Sequence, residues 1–206
     1  KCLANSITIH LREDRRHIRD DDAIRICKNK KIPVNLEIST NPKIIKIALK
    51  IKPNFICIVP EKRKEITTEG GLDLASNKKK LKKIISKFKN KKIRTSLFID
   101  PNINDIYRSV EIGTDCVELH TGKISNAVKQ KKSYSSELAK IKKSSILAKK
   151  NGLEVHAGHG LDFKTLKILS NVNEIVEFNI GHFLIGESIF IGMKNTIKKF
   201  KKIIKG

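Results

Sequence analysis

Seven short runs rich in β-branched residues alternate along this chain with longer, lysine-rich amphipathic stretches, and that alternation leaves few architectures open. The runs predict strands at Ser6 to His10, Pro33 to Ile38, Phe55 to Val59, Ile93 to Ile99, Cys116 to His120, Leu153 to Ala157 and Glu174 to Ile180. Between them the spacing predicts helices at Asp21 to Lys28, Asn41 to Ile51, Asn77 to Lys89, Asn102 to Ile112, Ser133 to Lys150 and Asp162 to Leu169, with two more after Gly181. Asp or Asn stands at several of these helix starts, where a side-chain oxygen can accept a hydrogen bond from a free backbone N–H. The runs read as continuous apolar segments, each followed by a helix, so the sheet is parallel and covered on its outer face. The choice is then an open doubly wound sheet or a (β/α)8 barrel. No G-x-G-x-x-G and no G-x-x-x-x-G-K-[ST] follows the first run, which removes the usual phosphate loops of the open sheet and favours the barrel. A barrel takes about 250 residues and eight strands. This chain of 206 residues begins almost directly with a strand, so the expectation is one barrel domain over 1–206, with extra helices and without a first βα unit.

Composition narrows the partners. A net charge of +23 favours anionic surfaces by long-range attraction, but the lysines are spread through almost every segment and read as compositional bias. The cysteines, Cys2, Cys27, Cys57 and Cys116, form no C-x-x-C pair and lack structural zinc spacing, which fits a reduced cytoplasm. No apolar run approaches the roughly 20 residues of a membrane span, and the N-terminus lacks the zones of a secretory signal. A soluble cytoplasmic protein is expected. The last segment, KNTIKKFKKIIKG, places Ile197, Phe200, Ile203 and Ile204 at helical spacing, the pattern of an outer helix docking an apolar stripe rather than of a membrane or nucleic-acid anchor.

Barrels of this type work at the loops leaving the C-terminal ends of their strands. All six histidines are expected on that face: His10 and His120 end strands, His156 lies near a strand end, and His17, His159 and His182 follow strands. Imidazoles exchange protons near neutral pH, so the rim is suited to acid–base chemistry. Glu37 in VNLEI and Glu118 in CVELH interrupt runs that otherwise read as buried strand, where an unpaired charge is costly. Each is a general acid or base with a raised proton affinity, or one half of an ion pair that stabilises the barrel, and both readings stay open at this point. Five of the eight arginines gather at Arg12, Arg15, Arg16, Arg19 and Arg25, and Arg12, nearest the strand end, is the first choice for an anionic ligand. The long polar loop from Pro60 to Gly71 has the length of a lid. Gly158-His159-Gly160 and Gly181-His182 follow the last two strands, where barrels hold phosphates on backbone N–H groups and a helix start.

The stretches ITIHLREDRRHIRD, VNLEI, VPEKRKEITTEGGLD, SLFIDP, VELHTG, HAGHGLD and FNIGHFLIGESIF resemble, in order and spacing, the signature segments of the pyridoxine 5′-phosphate synthase family, over Ile7 to about Gly192. The resemblance implies an oligomeric barrel enzyme of vitamin B6 biosynthesis. It would condense 1-deoxy-D-xylulose 5-phosphate with 3-amino-2-oxopropyl phosphate, releasing phosphate and water, with no metal or organic cofactor. It also implies roles for single residues: His10 and Glu37 as proton acceptors, His159 as proton donor, and Glu118 as the carboxylate that stabilises charge during the reaction. Arg12, His17 and Thr67 would bind the deoxyxylulose phosphate, and Gly160, Gly181 and His182 the aminoketone phosphate.

Two departures from the family pattern stand out. The family's first strand and helix, which supply an Asn, an Asp-His pair and an Arg to substrate binding, have no counterpart here, so chain 1–206 by itself is expected to be inactive or nearly so. His156 stands where the family more often has Asn. Two readings from other classes remain: a noncatalytic relative serving as a binding or subunit-interaction module, and a basic nucleic-acid binder. The second requires lysines gathered on one face and interleaved aromatics, and only 5% of the residues are aromatic.

Overall fold

The computed structural model describes residues 4–29, 31–61 and 70–205. Seven strands form one sheet: β1 (Ile7–His10), β2 (Val34–Ile38), β3 (Phe55–Ile58), β4 (Arg94–Ile99), β5 (Cys116–His120), β6 (Glu154–Gly158) and β7 (Ile175–Asn179). All neighbours are parallel and the spatial order is the chain order, β1 to β7. The helices on the outside are α1 (Asp20–Lys28), α2 (Pro42–Ile51), α3 (Leu74–Lys89), α4 (Ile103–Ile112), α5 (Gly122–Lys129), α6 (Ser135–Lys150), α7 (Phe163–Leu169), α8 (His182–Ile191) and α9 (Met193–Lys205). This is a TIM-barrel-like fold without one βα unit: the sheet curls until its first and last strands face each other, nearly closing the barrel. Across the remaining gap the Thr8 hydroxyl donates to Asn179 Oδ1 at 2.8 Å.

The predicted caps explain several helix boundaries. Asn41 accepts from the Lys43 N–H with Pro42 at the first helical position, and Asn102 and Asp162 cap α4 and α7 in the same manner. Helix α3 starts a turn earlier than predicted because Asp73, rather than Asn77, accepts from the Ser76 N–H, and Leu74 is buried. Gly113 ends α4 at φ 85, a left-handed conformation that glycine adopts without strain. One helix escaped the sequence reading. Helix α5 follows β5 after a single residue and opens with Gly122, and the Thr121 hydroxyl before it donates to the carbonyls of Gly158 and His159 instead of capping.

The strands are not apolar on both faces, as their composition had implied. Leu36, Ile38, Ile56, Ile58, Leu97, Ile99, Val117, Leu119 and Val155 belong to the main core cluster, with Ile44, Leu81, Ile85, Phe88, Ile106 and Ile141 of the surrounding helices. Each such side chain stabilises the fold by about 1.5–3 kcal/mol on burial. The alternate residues are largely polar and point into the barrel: Thr8 and His10, Asn35 and Glu37, Glu118 and His120, Glu177 and Asn179. A period of two thus divides most strands between an aliphatic outer row that holds the fold and an inner row available for chemistry.

Helix α9 docks as its stripe predicts. Ile197 and Phe200 are buried, Phe200 packs against Phe163 and Phe183, and Ile204 stays exposed. Lysines occur on α1, α2, α3, α5, α6, α7 and α9, around the barrel rather than in one stripe, so the nucleic-acid reading loses its main support. No described helix is long and apolar enough to cross a membrane.

Candidate functional site

A cavity of about 1320 Å³ opens at the C-terminal rim and continues into the gap between β1 and β7. It is lined by His10, Arg12, His17, Glu37, Glu118, His159, Gly160, Gly181 and His182. These are all the residues to which the resemblance assigned a role except Thr67, which lies outside the described residues, as does most of the loop assigned as a lid. Strand parity explains the convergence. His10 and Glu37 are register partners on β1 and β2, and Glu118 occupies the inward row of β5. Gly160, His159 and the Gly181–His182 pair leave the ends of β6 and β7, with His182 opening α8. A helix start offers unpaired N–H groups and a partial positive charge, which suits a phosphate.

His10 stands between two carboxylates. Its Nδ1 lies 3.5 Å from Glu37 Oε2, and its Nε2 lies 3.6 Å from Glu61 Oε2. Burial, and secondly the charge of Arg12, lowers the His10 pKa to about 4, so the ring is neutral near pH 7 and free to accept a proton. Burial raises Glu37 to about 7, although 23% of its side chain opens onto the cavity. A carboxyl with that value is poised to trade a proton at neutral pH. Arg12 is buried, with Nε 3.7 Å from Glu61 Oε1 and 3.8 Å from Asp14 Oδ1. Three other arginines of its segment make local pairs: Arg15 with Asp20, Arg16 with Asp14 and Arg25 with Asp22. Glu61 was not found from sequence, because nothing in a polar loop marks which carboxylate folds back onto His10 and Arg12.

Glu118 is 2% exposed. Its Oε2 accepts from Asn179 Nδ2 at 2.9 Å and faces the Cys57 thiol at 3.8 Å. Burial first, then the nearby charges of Glu37 and Glu177, raises its pKa well above the ordinary carboxylate range. Of the two readings left open for the strand carboxylates, the acid–base one is favoured: among the described residues no Lys or Arg pairs with Glu118 or Glu37, and Glu37 faces the His10 imidazole.

On the far side of the cavity His159 takes φ 81, a left-handed backbone rare for a residue with a Cβ and a form of strain typical of functional turns. Its ring packs on His120 with centroids 4.9 Å apart, and His120 Nδ1 lies 3.2 Å from Asp100 Oδ1. That contact holds the Asp100 carboxyl below its usual range. Burial, and then the neighbouring His120, His182 and Lys129, lowers His159 to about 4. Gly122 leaves room for both rings, since a Cβ there would lie 2.7 Å from His120 Nε2 and 3.1 Å from His159 Cδ2.

One histidine is not at the rim. His156 is the central residue of β6, one pleat below Gly158, and it turns toward the opposite end of the barrel. There its Nε2 lies 2.8 Å from Glu154 and its Nδ1 3.8 Å from Glu177. The ligand atoms of Cys116, Glu154 and His156 lie within 4.8 Å of one another. Both Glu154 oxygens are nonetheless engaged, by His156 and by Arg94 at 2.6 Å, and burial pushes the Cys116 thiol up to about 12. The group forms a charge-paired barrel floor.

Comparison with known proteins places this geometry in a family. Residues 1–206 match the family model described as pyridoxal phosphate biosynthesis protein PdxJ. The chain is 66% identical over 203 residues to the pyridoxine 5′-phosphate synthase of Pelagibacter ubique, covering 98% of this chain and 85% of that protein. It is 47% identical over 204 residues to that of a Sulfurihydrogenibium species, covering 98% and 83%. Among solved structures, KGPDC from Streptococcus mutans superposes with a TM-score of 0.66 at 13% identity, over 98% of this chain and 85% of that one. A monomeric phosphoribosylanthranilate isomerase from Thermotoga maritima gives 0.60 at 15% identity, over 98% and 88%. Those two likenesses concern the fold alone, whereas the family model matches residues 1–206 and the two synthases are 66% and 47% identical to the chain: the chain belongs to the PdxJ family of pyridoxal phosphate biosynthesis proteins.

Proposed function

We propose that this protein catalyses the pyridoxine 5′-phosphate synthase reaction, joining 1-deoxy-D-xylulose 5-phosphate and 3-amino-2-oxopropyl phosphate into pyridoxine 5′-phosphate with release of phosphate and water. The observation that carries the reading is the sharing of one cavity by His10, Glu37, Glu118 and His159 with two groups suited to phosphate. Imine formation, dehydration, phosphate loss and ring closure require repeated proton transfers and no net change of oxidation state, which several His and Glu side chains can serve.

In this reading Arg12 and His17 hold the deoxyxylulose phosphate on one side, with Thr67. Gly160, Gly181 and His182 hold the aminoketone phosphate on the other. Holding both reactants in one water-poor cavity turns a bimolecular condensation into an effectively unimolecular one. Neutral His10 and ionised Glu37 accept protons. His159 is neutral in the free protein, and a phosphate dianion arriving at Gly160 and His182 raises its proton affinity, so it is charged as donor only when substrate is bound. A positive charge developing on the imine nitrogen beside Glu118 offsets the burial that favours its protonated form, and the carboxylate so formed stabilises that charge. The fold acts as one domain, in the cytoplasm, and the exposed Ile185, Ile189 and Phe190 of α8 support self-association into an oligomer.

The test is a ring-closure assay with both phosphorylated reactants and the purified full-length protein, reading pyridoxine 5′-phosphate by chromatography and inorganic phosphate by colorimetry. Equal amounts of the two products are expected. A folded protein that binds both reactants and forms neither product would refute the proposal and leave a noncatalytic binding module.

A further inference from the structure

We infer that Asn179, anchored by Thr8 across the gap between β1 and β7, is a positioning residue for the Glu118 carboxylate. The inference rests on the synthase reading of Glu118. A side-chain amide has a donor end and an acceptor end of similar shape, so its direction must be set by its partners. Here the carboxylate oxygen Glu118 Oε2 accepts from Nδ2 at 2.9 Å, and the Thr8 hydroxyl, able to donate or accept, donates to Oδ1 at 2.8 Å and anchors the other end of the amide. The reverse orientation would set the amide oxygen against a carboxylate oxygen.

The rest of the cradle leaves the carboxylate little choice of place. Oε1 lies over the bare Cα of Gly158, where a Cβ would stand 2.0 Å from it and 3.2 Å from the Asn179 Cβ. The Cys57 thiol faces Oε2 from β3, a weak donor at 3.8 Å. Asn179 is therefore the strong donor that fixes Glu118 among the described contacts. It also lies two residues before Gly181, and Thr8 lies two residues before His10 on the same inward face of β1. One short chain of contacts thus joins the charge-stabilising carboxylate, the phosphate-holding turn and the strand that carries a proton acceptor.

The experiment compares steady-state ring closure by the full-length wild-type protein with Asn179→Ala, Thr8→Val, Thr8→Ser and the double variant Thr8→Val/Asn179→Ala, all checked for folding by circular dichroism. A misplaced carboxylate lowers turnover without weakening substrate binding, so Asn179→Ala should lower kcat about 10- to 100-fold with each KM within about twofold. Thr8→Val should lower kcat by about 3- to 10-fold, Thr8→Ser should restore it, and Thr8→Val should add nothing to Asn179→Ala, because the two act through one chain. Should Asn179→Ala not fold, the Thr8→Val loss and its Thr8→Ser rescue carry the same test. An unchanged kcat, a rise in KM alone, or fully multiplicative losses would overturn the inference while the synthase reading stands. A wild-type protein without ring closure overturns that reading, and this inference with it.

Discussion

The middle of the sheet and its two edges are built to different standards. Strands β3, β4 and β5 have a neighbour on each side, and their outward residues Ile56, Ile58, Leu97 and Val117 are sealed under helices. At the edges Ile7 of β1 is 37% exposed and Val176 of β7 is 64% exposed. The site draws on both. The carboxylates Glu37 and Glu118 sit on strands paired on both sides, where a rigid and water-poor setting shifts their proton affinity. The groups assigned to the aminoketone phosphate follow β6 and β7, on turns beside the gap. His10, assigned as a proton acceptor, is the exception: it lies on an edge strand, with its ring between Glu37 of β2 and Glu61 after β3. In the proposed reading, chemistry that needs fixed distances is placed where the packing is dense, and gripping of a mobile ligand beside the gap.

If that division is right, a paired-strand and an edge substitution should fail differently. Glu37→Gln keeps the shape and removes the base, so kcat should fall by about 10²–10⁴-fold with KM little changed. His182→Ala should mainly raise the KM for the aminoketone phosphate, and equal effects on kcat would break the comparison. Next in size, Gly158→Ala forces a methyl group into Glu118 and Asn179, and kcat should drop about 10²-fold. Its overpacking should also cost about 1–3 kcal/mol of stability by urea denaturation. For packing alone, Leu97→Ala in β4 should cost about 2–5 kcal/mol. Val176→Ala at the edge should stay within about 0.5 kcal/mol, and comparable losses would show that the edge is sealed in solution.

The last prediction concerns pH. The folded protein keeps a proton on Glu37 from pH 4.5, where the unfolded carboxyl titrates, to about 7, so this group makes stability fall as pH rises through that window. His10 and His159 act oppositely. Their folded values near 4 lie below the ordinary 6.5, so stability falls as pH drops from 6.5 toward 4. Glu37→Gln removes only the first contribution. Relative to wild type it should gain at most about 1.4 kcal/mol per pH unit between those limits, read from urea midpoints at several pH values. A difference independent of pH would place Glu37 in a solvated setting, like an edge residue.

How far the sequence reached follows from the same contrast. The strands were legible because β-branched runs of four to six residues bounded by Asn, Pro or Gly have few other uses, and all seven emerged within two residues of their observed bounds. Helix α5 was not, since an eight-residue segment opening on Gly122 shows its purpose only once two imidazoles are seen above that glycine. Glu37 and Glu118 announced themselves by interrupting aliphatic runs. Glu61, Asp100, Thr8 and Asn179 did not, because each acquires meaning from a partner distant in the chain. His156 was misplaced by one pleat: β6 runs on to Gly158, and a shift of two residues along a strand moves a side chain from rim to floor.

The most direct test is a crystal structure of the full-length Glu37→Gln variant soaked with both phosphorylated reactants. Density for one phosphate at Arg12 and His17 and another at Gly160, Gly181 and His182, with the carbon skeletons between His10, Glu118 and His159, is the predicted result. Phosphates bound instead on the outer lysine helices, with the barrel mouth left to solvent, would contradict the account.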